Sequence, residues 1–286
     1  MKIKSIILSV IAIFSLCECS KDKSEEPYSN QDIVEVNAKA ALYFHTVFRE
    51  VENAWAFIDS AKYKSGTYPD HSNPSPAVKN LTYVSTDTGT GTLTIEYNAW
   101  KSGEFLLIGT ISVKFAVNSY QRDNNQASVF LTDFSIDAHS IVGEPTIQYK
   151  KVSNNDNDHY TYKLTDGAVY EKNRSMSIMI SGAITNGQYV RTEGDSTILL
   201  QDDDVWAYSG TMTGILFNDP NLKYTNTIQT NNVIINEVGY ESPVVFTMDC
   251  NTAKQGASNI VITGRPDILY GYKCSDHDFI SVTKIE

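Results

Sequence analysis

The pattern of apolar positions changes once along the chain, from a helical period to a strand period. Between Ser29 and Ser65 there is no Gly or Pro, and apolar side chains recur every three or four residues, the spacing of one helical face. That face comprises Val36, Ala40, Tyr43, Val47, Val51, Ala54, Ile58 and Ala61. Ser29 followed by Asp32 marks the start of the helix, and Gly66 marks its end. The pattern predicts one long N-terminal amphipathic helix over residues 29–64.

From Leu81 onward, apolar and polar residues alternate, as is typical of half-buried β-strands. Residues 92–97 (TLTIEY) and 128–136 (SVFLTDFSI) are clear examples among roughly a dozen such runs. Turn residues separate the runs, and the strongest two-residue hairpin signals are Asp166-Gly167 and Asn186-Gly187. No helical run long enough for a crossover lies between strands, so neighbouring strands are expected to be antiparallel.

Together the two patterns predict a mainly β fold: an antiparallel meander of many strands with the N-terminal helix packed on it. A closed barrel, a curled sheet or partly open barrel and a sandwich all satisfy the pattern, and the β domain is assigned to residues 79–286. The composition agrees with this prediction. The chain contains 17 Tyr beside 11 Phe and 3 Trp, and Tyr, Thr, Val and Ile favour pleated, half-buried surfaces.

The N-terminal segment has the pattern of an export signal. Two lysines precede an apolar run over residues 6–16, which is too short to span a bilayer. In bacterial lipoproteins the lipid-modified cysteine usually lies three residues after a Leu, and Leu16 has this position relative to Cys19. The polar residues 20–23 (SKDK) resemble the start of such lipoproteins and favour Cys19 over Cys17. A plain cleaved signal peptide without a lipid is the other alternative. The segment predicts a lipoprotein signal peptide over residues 1–18, a lipid on Cys19 and a flexible tether over residues 19–28, with a membrane as partner.

The charge and the missing motifs exclude several functions. A formal net charge of −11 gives no basic surface for nucleic acid, because phosphate binding needs clustered Lys and Arg. The 5 His residues form no metalloprotease motif, and neither a nucleophile elbow nor a phosphate-binding glycine loop occurs. We therefore expect no enzymatic activity, no catalytic or metal-binding residues and no cofactor.

Cys250 and Cys274 are the cysteines of the mature chain besides the lipid candidate. A pair of cysteines in an exported protein predicts a disulfide, and closing a loop of about 25 residues contributes roughly 3–4 kcal/mol in the chain-entropy model. Free thiols are the first alternative. A zinc site with His277 matches known ligand spacings poorly.

Aromatic residues suggest two ligand-binding alternatives. A sheet curled beneath the helix would enclose a hydrophobic ligand against the aromatic side chains of that helix, Phe44, Phe48, Trp55 and Phe57. Other aromatic residues would stack on sugar rings if they were exposed, although such residues more often fill the core or rim of a sheet. These residues are Trp100, Trp206, Tyr240, Tyr270 and Tyr272.

The order of segments resembles that of a broad group of uncharacterised β-rich lipoproteins of Bacteroidota. The shared features are the lipoprotein signal, a helix carrying VFREVENAW, a proline-containing linker, a series of hairpins and a tail with Cys250, Tyr270-Gly271 and Cys274. The resemblance implies a β-rich body in the cell envelope, anchored to the outer membrane on its periplasmic or surface face. The group has no established activity, so the expected function is a non-enzymatic structural or binding module, with a lipid carrier and a glycan-binding protein as alternatives.

Overall fold

The computed structural model describes fourteen segments of the chain. These are residues 28–60, 64–70, 76–85, 90–103, 105–115, 126–151, 157–171, 177–192, 205–228, 233–235, 238–240, 244–246, 253–272 and 281–284. The helix α1 (Asn30–Ser60) is followed by strands. Their bounds are β1 Gly66–Asp70, β2 Val78–Ser85, β3 Gly91–Ser102, β4 Phe105–Phe115, β5 Gln126–Ile136, β6 His139–Lys151, β7 Asn157–Glu171, β8 Ser177–Thr192, β9 Val205–Leu216, β10 Lys223–Ile228, β11 Val233–Ile235, β12 Val238–Tyr240, β13 Val244–Phe246, β14 Ala253–Gln255, β15 Ala257–Ile262, β16 Ile268–Gly271 and β17 Ser281–Lys284.

Most of these strands belong to one antiparallel sheet. Within the described segments the sheet has 15 strands, and its order follows the chain from β1 to β10 and continues through β15, β16 and β17. Strand β9 changes its neighbour along its length, since Trp206 to Tyr208 pair with β13 and Thr211 to Ile215 pair with β10. The path ends at β1 and β17 without closing into a barrel. The structure confirms the predicted antiparallel meander.

The strand registers place the connections at two opposite ends of the sheet. The near pole contains the ends of strands around Ser102, Ile136, Leu216 and Ile262, which the successive pairings put at one level. The far pole contains the opposite strand ends, such as Phe115. We use these two names below for the two ends of the molecule.

The helix begins where the sequence predicts. The Ser29 hydroxyl accepts a hydrogen bond from the backbone N–H of Asp32 at 3.1 Å, and the Asp32 carboxylate accepts one from the backbone N–H of Ser29 at 2.8 Å. This reciprocal arrangement satisfies backbone donors that the first helical turn leaves unpaired. At its other end α1 stops at Ser60, and Lys64 and Ser65 lead into β1 without helical structure.

The helix runs from the near pole to the far pole through the interior of the curled sheet. Tyr43 lies against Phe105 at the start of β4, and Trp55 lies against Phe115 at its end. From Ala40 to Ala56 no side chain is exposed, so the sheet covers every face of this part of α1. The sequence predicts a helix packed on the sheet, and the structure adds that the sheet encloses it.

Register shifts explain how the sheet curls. Every strand pair from β3–β4 to β8–β9 has at least one such shift. Several of the shifts coincide with residues of positive φ, including Ala99, Asp133 and Asp166. Each bulge bends its strand and increases the local twist. Repeated over neighbouring strands, these bends wrap the sheet around α1.

The two strongest hairpin predictions are wrong for the same reason. Asp166-Gly167 lies inside β7 and Asn186-Gly187 lies inside β8, and both sites coincide with register shifts. The two-residue turn between β5 and β6 is instead formed by Asp137 and Ala138, which have φ values of 48° and 65°. Strand β1 lies between the predicted helix (29–64) and the predicted β domain (79–286), where the sequence predicts no strand, because this short strand with mixed exposure shows no clear alternation.

Candidate functional site

Because the helix fills the interior, the polar groups with unusual environments lie along α1 and on the strands that face it. One group surrounds Glu50, which is 1% exposed. Its carboxylate accepts hydrogen bonds from the Lys79 ammonium of β2 at 2.9 Å, the Tyr97 hydroxyl of β3 at 2.8 Å and the Ser102 hydroxyl of β3 at 2.5 Å. Arg49 donates to the same Ser102 hydroxyl at 3.1 Å. We call these five residues the Glu50 cluster.

The electrostatics of the Glu50 cluster keep its acid ionised. Burial by itself raises the pKa of Glu50, but the positive charges of Lys79 and Arg49, with hydrogen bonds from Ser102 and Lys79, lower it to about 2. Burial, followed by the neighbouring Glu50 charge, raises the pKa of Tyr97 well above its usual value. The cluster therefore holds a carboxylate and protonated partners at neutral pH.

This arrangement fixes the helix against the sheet. A buried, hydrogen-bonded ion pair defines one relative position of its two elements, since any slippage leaves a charge unpaired in a medium of low dielectric constant. Lys79 and Ser102 are nine-tenths or more buried. The Glu50 cluster therefore presents no nucleophile or base to a solute in the surrounding water.

A second group consists of buried tyrosines on the strands facing the helix. Phe48 of α1 stacks on Tyr189 at 4.0 Å between ring centroids and meets the edges of Tyr160 and Tyr162. We define the tyrosine cluster by these three residues and the neighbouring Tyr208, Tyr224, Tyr270 and Tyr272, all of them buried.

Six hydroxyl groups of the tyrosine cluster stay protonated, those of Tyr162, Tyr189, Tyr208, Tyr224, Tyr270 and Tyr272. Burial raises the pKa of Tyr162, Tyr189 and Tyr208. The Tyr270 and Tyr272 hydroxyl oxygens lie 2.8 Å apart, and the amide of Asn226 donates to Tyr270 at 3.2 Å. A neutral phenol enclosed in an aromatic core packs and donates hydrogen bonds, and it is not a general base.

A small cavity lies between the helix and strands β8 to β10. Its volume is about 10 Å³, which is room for about one water molecule. Its lining includes Ala41, Tyr208, Gly210, Met212 and Asn226. The buried Asn226 side-chain oxygen has no hydrogen-bond partner among the described residues. The cavity therefore suits a single water molecule bound to this amide oxygen, and a lipid chain does not fit.

The aromatic residues proposed to line a lipid cavity lie in packed surroundings. Phe44, Phe48 and Trp55 are buried in one continuous hydrophobic core, whereas the side chain of Phe57 lies outside the described part. Of the residues proposed to stack on sugars, Trp100, Tyr270 and Tyr272 are also buried. The side chains of Trp206 and Tyr240 lie outside the described part.

The remaining predicted site residues lie outside the segments that the structure describes. Cys19, Cys250 and Cys274 all lie outside the described residues. Within the described segments, no group of three or more His, Cys, Asp or Glu side chains is placed to hold a metal ion.

His45 lies inside α1 and is buried. Burial, followed by the charge of Arg49, lowers the pKa of His45, so its imidazole is neutral at neutral pH.

Sequence reasoning did not identify the Glu50 cluster. A signal exists, because Arg49, Glu50 and Glu52 interrupt a helix that is otherwise apolar on several faces. Charged residues on an amphipathic helix usually face the solvent. Here they do not, because the sheet covers every face of this part of α1.

Among the described residues, no helical segment is both long and apolar enough to span a membrane. The chain matches no protein-family model, no curated protein and no solved structure.

Proposed function

We propose that the protein is a lipid-anchored lipoprotein of the cell envelope whose body acts as a structural or binding module and not as an enzyme. The observation that carries the non-enzymatic part is the enclosed helix. From Ala40 to Ala56 it occupies the space where a curled sheet would otherwise hold a substrate. The charged and phenolic groups around it are buried. Glu50 is hydrogen-bonded to Lys79 and Tyr97, and Tyr270 is hydrogen-bonded to Tyr272.

The anchor is supported by the N-terminal sequence. A short apolar run followed by Cys19 and a polar segment is the arrangement of a lipoprotein signal, and the resemblance to Bacteroidota lipoproteins favours the outer membrane. Helix α1 starts directly after the predicted tether, at Asn30. The anchor would therefore connect to the body through the element that forms its core.

The packed interior makes the lipid carrier a weaker proposal than the structural or binding module. A carrier needs a cavity for its ligand, and Phe44, Phe48 and Trp55 contribute instead to a filled core. A glycan site would need exposed aromatic residues, and Trp100, Tyr270 and Tyr272 are buried. A binding role for the body would therefore use its outer surface.

The anchor is tested by metabolic labelling with an alkyne-bearing palmitate in the native host. We expect the natural chain and the Cys17→Ala variant to incorporate the label, and the Cys19→Ala variant to lose it. The neighbouring cysteine serves as the matched control, because it lies in the same segment. Label retained in Cys19→Ala and lost in Cys17→Ala would move the anchor to Cys17. Label in none of the three proteins would refute lipidation.

An intact-mass measurement of the same protein tests the other parts of the proposal. Under native conditions we expect the acylated chain without additional bound lipid, and on reduction one hydrogen gained at each of Cys250 and Cys274. A mass that is lost only on denaturation would favour the carrier. An unchanged mass on reduction would refute the disulfide.

A further inference from the structure

The point at which the predicted tether joins the body is fixed to the near pole. The ring of Tyr28 stacks on Phe217 with 3.8 Å between the centroids. The Arg265 guanidinium donates a hydrogen bond to the backbone oxygen of Tyr28 at 3.2 Å. Phe217 follows β9, and Arg265 lies between β15 and β16. Two separate near-pole turns thus hold the start of the described chain.

The length of the tether limits how the body can stand on a membrane. The nine residue steps from Cys19 to Tyr28 span at most about 30 Å when fully extended. Along α1, the distance from Tyr28 to Trp55 at the far pole is about 40 Å. If the far pole lay against the bilayer, Tyr28 at the near pole would stand about 40 Å above it. A tether of at most about 30 Å does not reach that far.

The described charged side chains at the near pole show no excess of positive charge. Three basic and four acidic side chains lie among its strand ends and turns, and none of them is fully buried. The basic ones are Lys101, Lys223 and Arg265, and the acidic ones are Asp137, Glu171, Asp219 and Asp267. Attraction to an anionic surface needs clustered basic residues, so the lipid anchor must hold this pole near the membrane.

We propose that the near pole is the surface that faces the lipid headgroups and that the far pole is directed away from them. This inference rests on the proposed lipid anchor at Cys19. It assigns the turns around Gly103, Asp137, Phe217 and Gly264 to the membrane side. A binding partner in the surrounding compartment then meets the far pole or the outer flanks of the sheet.

Energy transfer to labelled lipid headgroups tests this orientation. The full lipidated chain is placed in phosphatidylcholine vesicles, with a fluorescent amino acid introduced by codon reassignment at Thr263 of the near pole or at Val84 of the far pole. Both side chains are exposed, Val84 by 55%, so either probe is tolerated without disturbing the core. We expect transfer several-fold more efficient from position 263 than from position 84, and unchanged at high salt.

The outcomes separate the two proposals. Equal transfer from both positions, or stronger transfer from position 84, would overturn the orientation while the anchor stands. The Cys19→Ala chain should not bind the vesicles. Equal binding of that chain and the natural chain would refute the anchor and, with it, the orientation.

Discussion

At the scale of single residues, Glu50 decides how the helix is held in place. It is an acid in the interior, and it is stable there because Lys79, Arg49, Tyr97 and Ser102 surround it. A buried ion pair contributes little over an apolar substitute, but removing one partner leaves an uncompensated charge. Single substitutions within the Glu50 cluster are therefore expected to be costly.

We expect Glu50→Gln to lower the free energy of unfolding by about 3–5 kcal/mol, because Lys79 and Arg49 lose their buried counter-charge. Urea denaturation followed by circular dichroism measures this loss. The matched control is Glu35→Gln on the exposed first part of α1, which should change stability by less than about 0.5 kcal/mol. Equal effects of the two substitutions would show that the Glu50 cluster is not buried as described.

The same residue predicts an acid dependence of stability. The pKa of Glu50 falls from 4.5 to about 2 on folding. Its stabilising contribution is therefore complete above pH 4.5 and is lost as the pH falls through about 2, a loss of about 3 kcal/mol. As the pH is lowered from 4.5 to about 2, the free energy of unfolding should decrease more steeply for the natural chain than for Glu50→Gln. Parallel pH profiles would contradict the lowered pKa.

At the scale of elements, the bulges determine the shape of the sheet, and sequence patterns recognise them poorly. Asp166-Gly167 and Asn186-Gly187 have the residues that two-residue hairpins prefer, and both sites lie inside long strands. A bulge also needs small or turn-forming residues, so the local sequence cannot distinguish a bend within a strand from a reversal between strands. Pairing with the next strand decides between them, and that information is not local.

Gly109 tests the importance of these bulges. Its φ is +104°, and a Cβ there would collide with the carbonyl oxygen of Asp133 on β5. We expect Gly109→Ala to destabilise the fold by about 3 kcal/mol, through backbone strain and overpacking. The control is Gly103→Ala in the β3–β4 turn, which has φ +60° but open space around it, with an expected cost of about 1 kcal/mol. Thermal or urea unfolding of the pair measures the difference, and equal losses would contradict the close approach of β4 and β5.

At the scale of the whole molecule, the helix forms the core of the protein. The sequence predicts both α1 and the meander, because each element shows a local pattern of apolar residues: a spacing of three or four in the helix and alternation in the strands. Enclosure of the helix does not follow from periodicity, since it depends on the curvature that many bulges add together. For the same reason, residues proposed to line a cavity or bind sugars, such as Phe48 and Tyr270, are buried in packed surroundings.

Native-state hydrogen exchange of the full chain, resolved along α1, tests the enclosure of the helix. Because the sheet encloses residues 40–56, their amides should exchange only through global unfolding, as slowly as those of β4 and β7. The exposed first turn, around Gln31, should exchange much faster and serves as the internal reference. Exchange of residues 40–56 that is much faster than that of β4 and β7 would show that the helix leaves the sheet while the sheet stays folded, and the claim of a filled, enclosed core would fail.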